Sequence, residues 1–208
     1  ILPSAVSNGA AFTIDVYFDE AVQGFDSSDI TITNGTVIPS SMNILIADQA
    51  FRVSILPDGQ GDIQMQVPAG AALDPILLPN TASNTVTVVY DIDKPSISTT
   101  GIPSTISGAE FTARFIFSEN VSGFTRSDIR INNATLSDFT AIDASTYSVV
   151  ITPNQAGAVR YSINPNIASD AAGNGNLALA EQVIPLQDSS SSGGGGSYNP
   201  LISLLMLM

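Results

Sequence analysis

The 208-residue sequence predicts an all-β chain made of two tandem antiparallel β-sandwiches of about seven strands each. Two observations predict this fold class. Apolar residues alternate with polar ones at the strand period of two, between clusters of Gly, Pro, Asn and Asp, and the whole pattern occurs twice. No stretch combines a helical apolar period with capping residues at both ends. A hydrophobic content of 44% is sufficient for folded cores.

The repeat is clearest at the start of each copy. Residues 12–25 correspond to residues 111–124 at an offset of 99, and after a three-residue difference the offset becomes 96. Two copies of about 90 residues therefore fill residues 1–93 and 94–188. Residues 91–95 join them. Because Pro95 favours an extended backbone at the residue before it, this join is expected to be a short, stiff linker.

Each copy begins with a strand rich in phenylalanine. Its core-facing residues are Phe12, Ile14, Val16 and Phe18 in copy one, and Phe111, Ala113, Phe115 and Phe117 in copy two. Later strands are centred on Ile30/Ile32, Phe51/Val53/Ile55, Ile63/Met65/Val67 and Val86/Val88/Tyr90, with counterparts at Ile129/Ile131, Tyr147/Val149/Ile151, Val159/Tyr161/Ile163 and residues 177–184. Alternation with one buried face per strand favours a sandwich, with a closed barrel as the alternative.

The composition excludes several kinds of chemistry. The chain has no His and no Cys, so it lacks the residues for a Ser-His-Asp or Cys-His nucleophile, an ordinary zinc or haem site, or a disulfide. We therefore expect no enzyme. The net charge of −13 disfavours nucleic acid and anionic membranes as partners. Copy one has 11 acidic residues and one basic residue, whereas copy two has 8 and 5. This imbalance either keeps the surface soluble or steers contacts between modules.

Copy two carries a family resemblance. The pattern Phe-x-x-x-Phe-x-Phe-Ser-Glu-x-Val-x-Gly-Phe-x-x-x-Asp-Ile spans residues 111–129, and Ile-Thr-Pro and Ser-Asp-Ala-Ala-Gly-Asn-Gly-Asn follow at 151–153 and 169–176. Together they resemble the bacterial Ig-like repeat domains of large secreted and surface-attached proteins. Copy one departs from the pattern, with Asp19 in place of Ser118 and a different loop at residues 73–80.

The resemblance implies Ig-like sandwiches that act outside the cell, at the bacterial surface, as non-catalytic spacers or adhesion arms. The implied partners are neighbouring Ig-like modules of the same chain and a host-protein or glycan ligand. An alternative is that the copies are accessory modules of a larger secreted hydrolase. Another is that they are adhesin repeats stiffened by calcium.

The C-terminal residues differ from the copies. Residues 189–196 are Ser and Gly, and residues 201–208 are an apolar run, shorter than the roughly 18 residues of a membrane-spanning helix. This tail resembles the start of a glycine-glycine C-terminal sorting signal, without its full helix and basic end. A completed tail would be the only contact with a membrane, through a C-terminal anchor. The alternative is a Ser/Gly tail with a chance apolar end.

The linker suggests a metal site. Strand alternation places Asp91 and Asp93 on the same side of an extended chain, where they can meet Glu20 or Asp74 of copy one, or Glu119 and Asp170 of copy two. Calcium takes roughly six to eight oxygen ligands, so we predict Asp91, Asp93, Glu119 and Asp170 as candidate calcium ligands and no other cofactor. The alternatives are solvated linker charges and, for residues 170–176, a turn held by Asp and Asn side chains.

Overall fold

The computed structural model describes residues 6–154 and 157–187, and within these ranges it contains fifteen β-strands. The predicted sorting tail, residues 189–208, lies outside the described residues. In the described part, no helix has the length and apolar character needed to cross a bilayer.

Copy one contains eight strands: β1 (Val6–Ser7), β2 (Phe12–Tyr17), β3 (Thr31–Thr33), β4 (Gly35–Val37), β5 (Asn43–Ile46), β6 (Ala50–Pro57), β7 (Gly61–Gln66) and β8 (Val86–Tyr90). One sheet has the order β1-β8-β7-β3, and the other has the order β2-β6-β4, with β5 also paired to β6. All pairs are antiparallel except β1 with β8, which is parallel.

Copy two contains seven strands: β9 (Ile97–Thr100), β10 (Phe111–Phe117), β11 (Ile129–Asn132), β12 (Ala134–Ala141), β13 (Thr146–Pro153), β14 (Val159–Ile163) and β15 (Leu179–Ile184). Its two sheets have the orders β12-β13-β10-β9 and β11-β14-β15, and all pairs are antiparallel. Strands β10, β13, β14 and β15 correspond to β2, β6, β7 and β8 of copy one.

Each copy has its own hydrophobic core between its two sheets. In copy two the core includes Phe115 from β10, Val149 from β13 and Tyr161 from β14. In copy one it includes Ile14 from β2 and Ile63 from β7. Two separate sheets that share one core form a sandwich, so the predicted all-β sandwich is confirmed and the barrel alternative is wrong.

The motif Glu-x-Val-x-Gly-Phe returns the chain to the core after the phenylalanine-rich strand. Gly24 and Gly123 have φ values of +82° and +91°, in the left-handed region that glycine adopts without strain. The turn buries Phe25 and Phe124. The ring of Phe124 lies 5.1 Å from that of Phe117. The turn therefore fixes the acidic residue just before it, Glu119 in copy two, at one end of the sandwich.

Several predicted strand ends differ from the structure: Phe18 lies just beyond β2 and Ile30 just before β3, and at two further ends the cause is visible. Strand β7 ends at Gln66 because the Val67 N–H donates to the hydroxyl of Ser83, at 3.0 Å, instead of to a neighbouring strand. Strand β15 begins at Leu179 because the Leu177 N–H donates to the Pro95 carbonyl oxygen, at 2.8 Å. Both ends are set by contacts that are distant in sequence.

Candidate functional site

The candidate site lies at the junction of the two copies, and a short pairing in copy two assembles half of it. Ser122 and Ser169 exchange two backbone hydrogen bonds, of 2.8 and 3.0 Å. Since Glu119 precedes Ser122 by three residues and Asp170 directly follows Ser169, this pairing holds the two carboxylates at the same end of the sandwich.

The linker is fastened beside them. The Ser118 N–H donates to the Ser96 carbonyl oxygen, and the Ser96 N–H donates to the Ser118 hydroxyl, both at 3.0 Å. This double contact aligns the start of β9 with the residue directly before Glu119. It therefore brings the linker, which includes Asp91, to the end of the sandwich that carries Glu119 and Asp170.

Three of the four predicted ligands come together. Each of Asp91, Glu119 and Asp170 offers one carboxylate oxygen, and these oxygens lie within 4.8 Å of one another. Asp170 is buried and the other two are half-buried. We call these three the junction carboxylates. Asp93 is exposed and lies outside the group, and its N–H donates to Asp91 Oδ1 at 3.1 Å. Among the described residues, no other group of three or more potential metal-ligating side chains lies this close.

Asn174 connects the junction carboxylates to both copies. Its N–H and its side-chain amide donate to the two carboxylate oxygens of Asp170, at 2.8 and 2.9 Å. The same amide donates to the Asp91 carbonyl oxygen at 2.9 Å. Its own oxygen accepts from the side-chain amide of Asn8 in copy one, at 3.1 Å. Sequence reasoning considered Asp170 as a ligand and residues 170–176 as a turn, but it missed this link. The available signal was the replacement of Asn174 by Leu78 in copy one.

Gln60, in the loop between β6 and β7, holds the linker from the side of copy one. Its side-chain amide donates to Asp91 Oδ1 at 2.9 Å, and its oxygen accepts from the Ile92 N–H at 2.7 Å. These two contacts fix the Asp91 carboxylate and the linker backbone to copy one. No sequence signal identified Gln60, because its partner is 31 residues away.

The junction carboxylates repel one another. The pKa of Glu119 is raised above its usual range, first by burial and then by the negative charges of Asp170, Asp91 and Asp93. A raised pKa means that the charged form of Glu119 is disfavoured in the folded chain. A divalent cation bound among these oxygens would offset both the burial and the repulsion.

The loop of copy one differs in sequence but has the same backbone hydrogen bonds as the loop of copy two, and it does not form a matching carboxylate cluster. Gln23 pairs with Leu73 as Ser122 pairs with Ser169, which brings Asp74 to the end of the sandwich near Glu20. Asp74 Oδ1 accepts from the N–H groups of Ile76 and Leu78, both at 2.9 Å. Asp74 therefore holds its own loop. The linker carboxylate that completes the group in copy two has no described counterpart here.

A buried asparagine holds the neighbouring turn in both copies. Asn176 is 1% exposed, and its side-chain oxygen accepts from the N–H groups of Ile167 and Ala168, each at 2.9 Å. Its amide donates to the carbonyl oxygens of Asn164 and Leu177. Asn80 makes the corresponding contacts in copy one, with the Ala72 N–H and two carbonyl oxygens. The side chain of Asn176 thus holds a turn and does not face the junction.

Comparison with protein-family models gives a match over the second copy. Residues 91–184 match the family model of a bacterial Ig-like domain. No curated protein matches the chain.

Several solved structures match the chain, all at low sequence identity and with TM-scores below 0.5. Invasin, described as a bacterial integrin-binding protein, is 17% identical with a TM-score of 0.37, and the match covers 76% of this chain and 32% of invasin. InvD of Yersinia pseudotuberculosis is 12% identical with a TM-score of 0.42, over 92% of this chain and 58% of that structure. Domains 5–6 of the S-layer protein SbsC are 13% identical with a TM-score of 0.24, over 89% of this chain and 92% of that structure. The chain thus spans about a third of the invasin structure and under two thirds of the InvD structure.

Proposed function

We propose that residues 1–93 and 94–188 are two Ig-like modules that serve as a non-catalytic spacer or adhesion arm of a bacterial surface or secreted protein. One observation carries the proposal: the same two-sheet sandwich occurs twice in tandem, and its second copy matches a bacterial Ig-like domain. Each module has its own core, and a short linker joins them. This arrangement suits an extracellular part that separates or presents another part of the protein.

The side chains available for chemistry support a role without catalysis. The chain has no His or Cys, and its reactive groups are chiefly carboxylates. The junction carboxylates lie against Asn174 and the linker, and within the described part of the chain no aromatic or cationic side chain donates a hydrogen bond to them. This environment suits ion binding better than proton transfer to a substrate.

Binding measurements separate a spacer from an adhesion arm. The purified chain is applied to arrays of glycans and of host surface proteins. Saturable binding of one ligand identifies an adhesion arm, whereas no binding on either array identifies a spacer.

The accessory-module alternative is tested by sequencing the coding region upstream of Ile1, because a hydrolase domain there would favour it. If the two copies melt as one cooperative unit in calorimetry, the division into two modules is wrong.

The tail bears on how the modules are attached. We propose that residues 189–208 are the beginning of a glycine-glycine sorting signal, which would attach the protein to the cell surface through its C-terminal end. The Ser/Gly run followed by an apolar run supports this proposal. Mass spectrometry of the protein from its native surface tests it: cleavage near residues 193–196 is expected, and an intact C-terminus would contradict it.

A second candidate function is calcium binding at the junction. The close approach of the junction carboxylates favours it, since calcium selects carboxylate and carbonyl oxygens. Asp91, Glu119 and Asp170 would hold the ion, and carbonyl groups or water would supply the other ligands. A bound ion would offset the burial and the neighbouring negative charges that together raise the pKa of Glu119. It would also fix the linker to copy two, which would stiffen the pair of modules.

Calcium titration followed by heat release and melting temperature tests the site. A bound ion stabilises the folded chain by RT ln(1 + [L]/Kd), about 2.7 kcal/mol at a hundred times Kd. Glu119→Gln and Asp170→Asn should abolish the response. Glu20→Gln, at the matching position of copy one, is the control and should keep it. Asp93→Asn shows whether the fourth predicted residue contributes. If millimolar calcium changes neither quantity in the parent chain, the calcium proposal is wrong, and the proposal of two modules is unaffected.

A further inference from the structure

One sheet of copy one ends in an exposed apolar strand. Strand β5 pairs with β6 on one side, and no strand among the described residues pairs with its other side. Its residues Ile44, Leu45 and Ile46 are 66%, 40% and 52% exposed. The register with β6 shifts between Ile44 and Ile46, so Leu45 has no residue opposite it on β6. The edge therefore offers backbone groups and three large apolar side chains to a further strand.

The position of β5 in the sandwich leaves this edge open. Strand β6 separates it from β2, and β3, beside the neighbouring β4, is at the opposite end of its own sheet from β1. The edge thus lies on the side of copy one away from β1 and from β8, which leads into the linker. Neither the first described strand nor copy two covers it.

The corresponding edge of copy two carries a charge. The end of β12 matches β5, because Thr140 pairs with Ser148 as Asn43 pairs with Arg52, and Arg52 corresponds to Ser148 at the repeat offset of 96. Strand β12 holds an exposed carboxylate, Asp138, at its bulge, with a φ of +49°. Charged residues and bulges keep natural sheet edges from pairing with other chains. Strand β5 also has a bulge, but it has no charged residue.

We propose that β5 pairs in antiparallel orientation with β5 of a second copy of this chain, across a twofold axis at Leu45. In this register Leu45 lies opposite itself and Ile44 lies opposite Ile46. Residues 43–47 are Asn-Ile-Leu-Ile-Ala, so only uncharged residues face one another. A self-complementary apolar strand fits a second copy, and twofold dimers are the commonest assemblies of identical chains. Addition of a strand to an exposed edge is a recognised mode of binding.

The charge of the chain and the length of β5 determine how strong this dimer is. Each chain carries a net charge of −13, so two chains repel one another, and the uncharged edge is where this repulsion is smallest. A strand of four residues buries less than the roughly 1,200 Å² of a stable interface. We therefore expect a weak dimer that salt strengthens by screening the repulsion. Many such contacts between two surfaces would act together.

The antiparallel orientation has a consequence for adhesion, and this step rests on the proposed adhesion arm. The two sandwiches of the dimer run in opposite directions. Arms attached to one surface run in the same direction, whereas arms from two facing surfaces run in opposite directions. The pairing would therefore join two cells that carry this protein.

Sedimentation equilibrium of the full chain, from micromolar to millimolar concentration, tests the pairing. The parent chain is expected to dimerise with rising concentration, and more strongly at high salt. Leu45→Lys places two like charges at the twofold axis and should weaken dimerisation about tenfold or more. The matched control is Ile142→Lys, which makes the same change of charge at an exposed residue just after β12 and should keep the parent behaviour. Unchanged melting temperatures show that both variants fold.

A single introduced cysteine tests the register, since the chain has none. Residues opposite each other in an antiparallel pair have Cα atoms about 4.5–5.5 Å apart, which is within reach of a disulfide. Leu45→Cys should therefore give a disulfide-linked dimer on mild oxidation, whereas Ile142→Cys should stay monomeric.

Two results would overturn the pairing and leave the proposal of two modules unaffected. One is a parent chain that stays monomeric at millimolar concentration in high salt. The other is dimerisation that is equally strong in Leu45→Lys, because the contact would then lie elsewhere. Beads coated with the chain through its C-terminal end test the adhesive step: parent and Ile142→Lys beads should cluster, and Leu45→Lys beads should not. Dimers in solution without clustering of parent beads would overturn that step alone.

Discussion

Asn174 donates its side-chain amide to the Asp91 carbonyl oxygen, 2.9 Å away, and thereby ties a loop of copy two to the linker. The same side chain accepts from Asn8 of copy one and donates to Asp170. One buried amide thus connects both modules and the linker, directly beside the junction carboxylates. The orientation of the linker depends on this contact as well as on the proline that follows it.

Replacing Asn174 with leucine, the residue at the matching position of copy one, should destabilise copy two. The variant leaves the buried Asp170 carboxylate without one hydrogen bond and Asn8 without its acceptor, so a loss of about 1–3 kcal/mol is expected in denaturant unfolding. Proteolysis within residues 91–95 should also become faster. The reverse substitution, Leu78→Asn, is exposed and serves as the control. Unchanged proteolysis in Asn174→Leu would show that the amide does not hold the linker.

Replacing Asn176 with alanine should cost more than a typical surface substitution. The side chain satisfies two buried N–H groups and two carbonyl oxygens, so its loss should lower the free energy of unfolding by at least about 2 kcal/mol. Asn80→Ala should have a similar effect on copy one. Gln182→Ala, which removes one exposed hydrogen bond, should stay within about 0.5 kcal/mol of the parent chain. Urea unfolding of the three variants makes the comparison.

Phe117→Ala and Phe18→Ala compare the same core position with and without a covering strand. Phe117 is 3% exposed, so its truncation should cost about 3–5 kcal/mol. Phe18 is half-buried, and its truncation should cost less. Equal losses in thermal unfolding would mean that the two positions are equally buried in solution. That result would contradict the observation that, among the described strands, a neighbouring strand covers the edge of β10 but not the edge of β2.

Asp15 and Arg52 predict how stability responds to acid. They lie opposite each other on β2 and β6 and form two hydrogen bonds, of 2.6 and 2.7 Å. The guanidinium of Arg52 lowers the pKa of Asp15 below its usual 3.8. A lowered pKa in the folded chain contributes stability above the unfolded-state pKa, and this contribution is lost as the pH falls through the folded value. Asp15→Asn should therefore flatten the loss of stability below about pH 4, whereas the exposed-residue control Asp58→Asn should not.

The phenylalanine-rich strands were predictable because strict alternation of apolar and polar residues is typical of a β-strand with one buried face. Residues 111–117 show this directly, since Ala113, Phe115 and Phe117 are all buried. The repeat then placed equivalent strands in the other copy. The end of β7 at Gln66 was not predictable, because the hydroxyl of Ser83 decides it from 16 residues away.

The candidate site was predicted only in part. Asp91, Glu119 and Asp170 were identifiable because acidic residues in a linker and at matching ends of two sandwiches are expected to meet. Asp93 was grouped with them on strand alternation, but the structure leaves it exposed, with only its N–H directed to Asp91. Gln60 and Asn8 gave no signal, because nothing local distinguishes them from other polar residues.

By itself, the sequence determined the duplication, the strand period, the two cores and the acidic character of the junction, because all of these depend on residue types at fixed spacing along the chain. Only the tertiary structure decided which carboxylates meet, that Asn174 and Gln60 hold the linker, and that β2 has an open edge where β10 is covered. These features depend on contacts between residues far apart in sequence, whose distances are fixed only when the sheets have packed.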